Sequence, residues 1–277
     1  MVQTSRSRSP SRTTPRASSR PAGTIQQYLD VSKRPLQILA FLLPLVIAYE
    51  IGLALLLRSE NGVLTNKAHE TLLKFFAAFG VAPSSGFYLG GIAVVVVLLV
   101  WHVLTRDPWR IDGRALGVMA CESLLLSLPL IALGQVVIRL LAANLAFAPS
   151  GTDASLEGLN LWSRISISIG AGLYEELMFR MLLIAVIHTL LVDVGKASSR
   201  VGAVVAVVVA AVAFTAYHPL SGPTGGISAQ KAVFFFLAGL YFGAVYVARG
   251  FGIVVAVHAI YDILTVSLLP ASTGHAG

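Results

Sequence analysis

The chain has 277 residues, of which 56% are hydrophobic and only 12% are charged, and its formal net charge is +7. Soluble globular domains carry about 25% charged residues, so this composition, with a mean hydropathy of +0.80, excludes a soluble domain of this length. The single cysteine, Cys121, excludes an intrachain disulfide and a cysteine-based metal site. We expect Cys121 to be a small, buried apolar residue.

The first segment, residues 1–34, is predicted to be a disordered basic tail, because it is rich in Ser, Arg and Pro and forms no apolar cluster. Five arginines lie between Arg6 and Arg20, and Lys33 and Arg34 follow. Because much of the net charge lies here, the charge does not indicate a nucleic-acid-binding protein. We interpret the segment as a solvated tail that fixes topology. Contact with anionic lipid headgroups and an organelle transit peptide are the alternatives.

Apolar runs of membrane-spanning length recur along the rest of the chain. About 18 or more apolar residues are enough for a helix to cross a hydrocarbon core of roughly 30 Å. The runs are continuous rather than alternating, so they predict helices and not barrel strands. The predicted fold is an all-α, polytopic transmembrane bundle with about seven spans, near residues 36–57, 86–104, 115–141, 161–191, 201–218, 231–248 and 252–269.

The predicted spans fall into two regions. Residues 35–145 hold the first three spans, and residues 160–269 hold the remaining four. Between the first two spans, apolar residues recur at helical spacing and predict an amphipathic helix on the membrane surface. These residues are Leu64, Ala68, Leu72, Phe75, Phe76 and Phe79.

The basic residues of the loops predict the orientation in the membrane. Lys and Arg are concentrated in the N-terminal tail and in loops 105–114 and 192–200, whereas residues 142–160 and 219–230 contain none. The exception is the segment 58–85, which carries Arg58, Lys67 and Lys74 on the outer side. Positive loops mark the cytoplasmic side. We therefore expect a cytoplasmic N-terminus and, with seven crossings, a C-terminus on the opposite side.

The fourth span contains the densest group of ionisable residues. An ionisable group in mid-span costs roughly 2.5–3.5 kcal/mol on insertion scales, so such a group is a functional candidate. Glu176 and Arg180 are four residues apart and are expected to pair on one helix face. Glu175 points about 100° away, so its partner is expected on another helix.

Two later spans carry candidate partners for Glu175. Phe214 and His218 end the fifth span, and His258 and Asp262 share one face of the seventh. A carboxylate, two imidazoles and a second carboxyl can hold a water for hydrolysis. The same groups resemble a metal site, since His and carboxylate are ordinary Zn²⁺ ligands, and both interpretations stay open.

Other polar residues in the spans are given smaller roles. The histidines without a neighbouring motif are interpreted as incidental; they are His69, His102, His188 and His275. Glu50 and Glu122 also lie inside spans, and Arg139 is a candidate partner for one of them.

Three motifs in this order resemble the CPBP family of intramembrane proteases, which groups CAAX prenyl endopeptidases with bacteriocin-processing and self-immunity proteins of the Abi type. The family pattern is Glu-Glu-x-x-x-Arg, then Phe-x-x-x-His, then His-x-x-x-Asn/Asp. Here these motifs are Glu175-Glu176-x-x-x-Arg180, Phe214-x-x-x-His218 and His258-x-x-x-Asp262. The resemblance covers about residues 160–269.

The resemblance implies a membrane-embedded, glutamate- or metal-dependent endopeptidase. It implies that Glu175 activates water with help from His218, that His258 and Asp262 bind water or polarise the scissile carbonyl, and that Glu176 and Arg180 support the site. If a divalent metal such as zinc is used, Glu175, His218 and His258 are its candidate ligands.

The expected partners are the lipid bilayer and a membrane-associated peptide or protein, with no nucleic acid, and the expected location is a bacterial plasma membrane. Two other functions remain open. The same polar residues would suit a non-catalytic binding or immunity factor, or a proton or ion transporter.

Overall fold

The computed structural model describes residues 24–59, 62–82, 88–141, 159–222 and 226–268. This part of the chain is all-α, as predicted, with one short two-residue pairing of Arg58–Ser59 (β1) and Gly62–Val63 (β2). Its nine helices are α1 (Thr24–Val31), α2 (Pro35–Leu55), α3 (Lys67–Ala78), α4 (Leu89–Thr105), α5 (Gly113–Leu141), α6 (Leu161–Val194), α7 (Ser199–Tyr217), α8 (Ala229–Arg249) and α9 (Phe251–Leu268).

Seven of these helices coincide with the predicted spans. Five of them, α2 and α5 to α8, are long and apolar enough to cross a membrane, and α4 and α9 are apolar but shorter. Large apolar side chains such as Leu125 on α5 and Val204 on α7 are exposed on the outside of the bundle. In lipid this exposure carries no penalty, so the protein is a multi-pass membrane protein.

Two smaller helices differ from or extend the sequence prediction. Thr24–Val31 of the predicted tail form α1, while residues 1–23 lie outside the described residues. The predicted amphipathic segment forms α3, whose Ala68 and His69 are buried while Phe75 and Phe79 are exposed. Cys121 was predicted to be buried and is exposed instead, because it lies on the outer face of α5.

Helix α9 lies at the centre of the bundle. Every residue from Phe251 to Ala259 is buried, which is the pattern of a helix that is apolar on all sides. Gly250, with φ +87°, is the single residue between α8 and α9, and a positive φ of this kind suits glycine. Helix α6 packs closely on α9 at Gly172, where a Cβ atom would lie within 3 Å of Ala259 and of Val255.

Helices α6 and α7 form a hairpin that brings distant polar residues to one depth. Glu175 on α6 and His218 at the end of α7 each lie roughly 20 residues from the turn at 195–198, or about 30 Å along either helix. Helix α7 ends at Tyr217, and the chain then turns towards α8 through an isolated bridge between Ser221 and Ile227.

Candidate functional site

The polar residues of the three motifs meet inside the bundle and form one central cluster. Helix α6 supplies three of its members, α7 supplies one and α9 supplies two; they are Glu175, Glu176, Arg180, His218, His258 and Asp262. On α6, the regular helix gives way at Leu177 to a π-helical stretch that ends at Leu183 and contains Arg180. Such stretches are frequent at functional sites, because the wider turn re-aims the side chains on it.

Glu176 is the best-connected carboxylate of the central cluster. Its Oε1 accepts a hydrogen bond of 3.0 Å from Arg180 Nη1, so the predicted pair forms. The same oxygen lies 2.7 Å from His258 Nδ1, a contact that the sequence did not predict. Both Glu176 and Arg180 are essentially inaccessible to solvent. With Nδ1–H donated to Glu176, the His258 ring is fixed so that Nε2 points towards Glu175 and Asp262.

The Arg180 guanidinium is surrounded by aromatic rings. It lies 4.3 Å from the Phe214 ring centre and 5.1 Å from the Phe242 ring centre. Its Nη2 also donates to the Gly239 carbonyl at 3.4 Å. Cation–π contacts of this kind are strongest where water is excluded. They explain why an aromatic residue at position 214 belongs to the motif.

Glu175 is the least satisfied carboxylate of the central cluster. Its Oε2 lies 3.6 Å from His218 Nε2 and 4.0 Å from His258 Nε2, which is too long for direct hydrogen bonds. This oxygen is buried and has no hydrogen-bond partner among the described residues. The same nitrogen, His258 Nε2, also lies 3.5 Å from Asp262 Oδ2.

The surroundings of His218 define which of its nitrogens is free to accept a proton. Nδ1 lies 2.8 Å from the Phe214 carbonyl oxygen. A carbonyl can only accept, so Nδ1 carries the hydrogen and Nε2 of the neutral ring is a lone-pair acceptor. The ring stacks on Phe235 of α8 at 4.1 Å. The lone pair therefore points towards Glu175 from a fixed position.

This arrangement brings acceptor atoms together with a gap between them. His218 Nε2 and Glu175 Oε2 both accept, and their separation of 3.6 Å leaves them without a shared proton donor. A water molecule donates two hydrogen bonds, so it can satisfy both acceptors from a position beside the gap. Groups placed in this way can also remove a proton from that water.

The fit of a metal ion is less close. Ligands that are about 2.0–2.1 Å from a tetrahedral Zn²⁺ lie roughly 3.3 Å from one another, and the separations of 3.6 and 4.0 Å at Glu175 are wider. In the described part of the chain, no group of three or more His, Cys, Asp or Glu side chains has the spacing of a metal site. The spacing suits hydrogen-bonded water better than a tetrahedral ion.

His69 was interpreted as incidental, and the structure corrects this. It is completely buried on the inner face of α3 and stacks on the ring of Tyr174, with 4.5 Å between ring centres. Its Nδ1 lies 2.8 Å from Tyr49 Oη and 2.9 Å from Thr65 Oγ1. Tyr174 directly precedes Glu175. The position of His69 beside Ala68, on the apolar face of a short amphipathic helix, could have indicated its burial but not its partner.

The two isolated carboxylates of the spans have different surroundings from those expected. Arg139 was a candidate partner, but Glu122 binds Arg249, whose Nε and Nη2 lie 2.5 and 2.9 Å from its oxygens. Tyr28 of α1 also donates to Glu122.

Glu50 lines a pocket of about 270 Å³ between α2 and α4 together with apolar side chains such as Val46 and Val95.

Comparison with known proteins identified a family for the region that contains the central cluster. The family model described as type II CAAX prenyl endopeptidase Rce1-like matches residues 157–264. The matched region begins just before α6 and ends within α9, so it contains every member of the central cluster. Curated protein sequences gave no match. Solved structures gave none either.

Proposed function

Since residues 157–264 belong to the Rce1-like family of type II CAAX prenyl endopeptidases, we propose that this chain is an intramembrane endopeptidase that hydrolyses a peptide bond of a membrane-associated protein or peptide. The observation that carries the proposal is the buried Glu175 Oε2, which faces the free lone pair of His218 Nε2 across 3.6 Å. In an apolar bundle, two acceptors in this position are costly unless they serve a water molecule.

The first step is activation of that water. Glu175 accepts one proton from it while His218 accepts the other hydrogen bond, so that the water oxygen is oriented and becomes nucleophilic. The oxygen attacks the carbonyl carbon of the scissile bond and forms a C–O bond. Glu175, now protonated, passes the proton to the leaving nitrogen as the C–N bond breaks. The products are a carboxylic acid and an amine, and the carboxylate of Glu175 is regenerated. The second proton of the water then passes from the acid to the amine, which leaves a carboxylate and an ammonium.

His258 is suited to stabilise the negative charge that develops on the carbonyl oxygen. Its Nδ1 is held by Glu176 at 2.7 Å, in the same way that an aspartate orients the histidine of a catalytic triad. When the ring is protonated, Nε2–H becomes a donor directed into the site. Asp262, 3.5 Å from that nitrogen, favours the protonated ring and can also bind water.

The remaining members of the central cluster act on these groups rather than on the substrate. Arg180 neutralises Glu176, and Phe214 covers the guanidinium. Removing one partner of such a buried pair leaves an uncompensated charge. Glu176, Arg180 and Phe214 therefore support the site and hold His258 in its orientation.

A comparison of wild type with Glu175→Gln tests the proposal. Both proteins are reconstituted into liposomes and incubated with detergent-extracted bacterial membrane proteins and with farnesylated and unprenylated CAAX peptides. Mass spectrometry then identifies new chain ends. We expect cleavage by the wild type only, because glutamine keeps the size and hydrogen bonding of Glu175 but cannot accept the proton.

Three other outcomes would contradict the proposal. Equal cleavage by both proteins would show that Glu175 is not the base. Retention of a peptide by both proteins without cleavage would indicate a binding or immunity factor. A pH-driven ion flux that Glu175→Gln abolishes, with no cleavage by either protein, would indicate a transporter.

A further inference from the structure

Helix α3 lies outside the region that matches the protease family, yet its first turn contacts the residue before each member of the proposed water-activating pair. Lys67 Nζ donates to the carbonyl of Tyr217 at 2.7 Å and lies 4.4 Å from the centre of the Tyr217 ring. Two residues later, His69 stacks on Tyr174. Tyr217 directly precedes His218, and Tyr174 directly precedes Glu175.

We propose that the first turn of α3, through Lys67 and His69, positions Glu175 and His218 for water activation. The inference rests on the proposed function and extends it, because it makes a surface helix of the N-terminal region part of the catalytic unit. Lys67 and His69 do not touch the reacting atoms in this proposal. They act through the residues that precede the catalytic ones.

The contact at Lys67 stabilises the end of α7. The last carbonyls of a helix have no partner within the helix, and a Lys ammonium stabilises this negative end of the helix dipole. His218 is the residue that follows α7, and its Nδ1 is tied back to the Phe214 carbonyl. By binding the Tyr217 carbonyl, Lys67 fixes the peptide bond that joins Tyr217 to His218. The backbone position from which the His218 imidazole extends is thereby fixed as well.

The contact at His69 restrains α6 on the other side of the pair. The His69 ring is parallel to the Tyr174 ring within 12° and is held by hydrogen bonds to Tyr49 and Thr65. The Asn66 side chain caps the start of α3 by accepting from the His69 backbone N–H at 2.8 Å. The turn that carries Lys67 and His69 is therefore rigid, and it links the two helices that supply Glu175 and His218.

The distance between Glu175 and His218 is expected to affect the reaction rate more strongly than it affects the stability of the fold. A misplacement of about 1 Å from a mutation remote from the chemistry can lower a rate about 10²-fold. The Glu175–His218 gap has no direct hydrogen bond that would maintain it. Its width depends on the packing of α6 and α7, and α3 contacts the residue before the catalytic one on each of these helices.

The test uses the full chain in proteoliposomes and a quenched fluorescent peptide that spans the cleavage site found with the wild type. Lys67→Met keeps the length of the side chain without its charge. We expect it to lower kcat per folded molecule by about tenfold or more while KM stays nearly unchanged. Lys67→Arg, which restores a cationic donor, should recover most of the lost rate.

His69→Phe provides an independent arm, because it keeps the stacking on Tyr174 and removes the bonds to Tyr49 and Thr65. We expect kcat to fall and KM to stay constant again. The matched control is Lys74→Met on the same helix, since the Lys74 ammonium pairs with Glu70 at 2.7 Å on the exposed face. We expect this control to keep the wild-type kcat.

Folded protein is measured for each variant by size-exclusion chromatography and thermal unfolding, and rates are divided by that amount. A purely structural role would lower the yield of Lys67→Met and His69→Phe but leave kcat per folded molecule equal to that of Lys74→Met, and this result would overturn the inference. A different result would contradict the proposed function: Glu175→Gln would cleave the peptide as well as wild type does, regardless of the result with Lys67→Met.

Discussion

Two groups of charged residues in this protein each contain an Arg–Glu pair, but their hydrogen-bonding capacity is satisfied to different degrees. Near the start of α5, Glu122 accepts bonds from Arg249 Nε, Arg249 Nη2 and Tyr28. In the central cluster, Glu176 is bound by Arg180 and His258, while Glu175 Oε2 has no hydrogen-bond partner among the described residues. Both groups include an Arg–Glu pair, and only the central cluster leaves a carboxylate with acceptors facing it.

The difference teaches how to separate a structural ion pair from a candidate site. The Glu122–Arg249 pair joins α1, α5 and α8, and its side chains remain 22% and 12% exposed. It uses its hydrogen-bonding capacity to connect helices. The central cluster is drier and leaves Glu175 Oε2 without a partner among the described residues, and a bound water molecule would stabilise this arrangement.

The largest expected effect is a difference in activity between variants of Glu175 and of Glu122. Glu175→Gln should lower kcat/KM by about 10²–10⁴-fold, the usual contribution of a general base, with little change in thermal stability. Glu122→Gln should leave the rate unchanged and lower the unfolding temperature. Kinetics with the fluorescent peptide and thermal unfolding of both variants measure this. An inactive but stable Glu122→Gln would reverse the assignment.

The next effect is a difference in the unfolding free energy that is lost when Arg180 or Arg249 is replaced. Arg180→Ala should cost about 3–5 kcal/mol of unfolding free energy, because it leaves Glu176 charged and unpaired in a dry position. Adding Glu176→Gln should recover part of the loss. Arg249→Ala should cost less, since its pair is partly exposed. Thermal unfolding in detergent provides the values; a double variant no more stable than Arg180→Ala would contradict the pairing argument.

Removal of metal ions tests whether the central cluster needs a bound metal for cleavage. The donor atoms around Glu175 are spaced for hydrogen-bonded water, so we expect exhaustive chelation to leave cleavage unchanged. The measurement is peptide cleavage before and after chelation, with metal content determined by mass spectrometry. If activity is lost and Zn²⁺ restores it, His218 and His258 are ligands and the mechanism proposed above is wrong.

A smaller effect is expected at Asp262. Asp262→Asn keeps the size of the side chain and can still bind water or donate to an oxyanion, so the rate should fall by about tenfold, the equivalent of one hydrogen bond. His218→Ala, measured in parallel, should lose nearly as much as Glu175→Gln. If Asp262→Asn is the more damaging of the two, Asp262 has a larger role than a water-binding one.

The last prediction changes no rate and concerns orientation. In a Cys121→Ser background, single cysteines at Ser5 and Ser272 should react with a membrane-impermeant reagent from opposite sides. This would place the Glu122–Arg249 pair towards the cytoplasmic side and the His218 end of α7 towards the other side. Labelling of both cysteines from one side would contradict the seven-span topology.

The sequence predicted those features that depend on one helix at a time. The all-α fold, the positions of seven apolar helices and the Glu176–Arg180 pair follow from hydropathy and from the spacing of residues along a helix. The motifs also indicated the family, which the match to residues 157–264 confirms.

Contacts between elements far apart in the chain were missed. The sequence contains no signal that His69 stacks on Tyr174, or that Arg249 rather than Arg139 binds Glu122, because these depend on how helices pack. The exposure of Cys121 was missed for a related reason. In a membrane bundle, the apolar residues of a helix cover both the core and the lipid face, so hydropathy does not distinguish the two.

The central position of α9 has a consequence for the biosynthesis of the protein. The helix that supplies His258 enters the membrane only after the ribosome has translated the 82 positions that separate it from Glu176. At the usual synthesis rate of about 5–20 residues per second, this delay is about 4–16 s. During that time the carboxylates of α6 are already in the bilayer without their imidazole partner, and the catalytic unit proposed here is incomplete. The catalytic unit proposed here is therefore complete only once α9 has inserted.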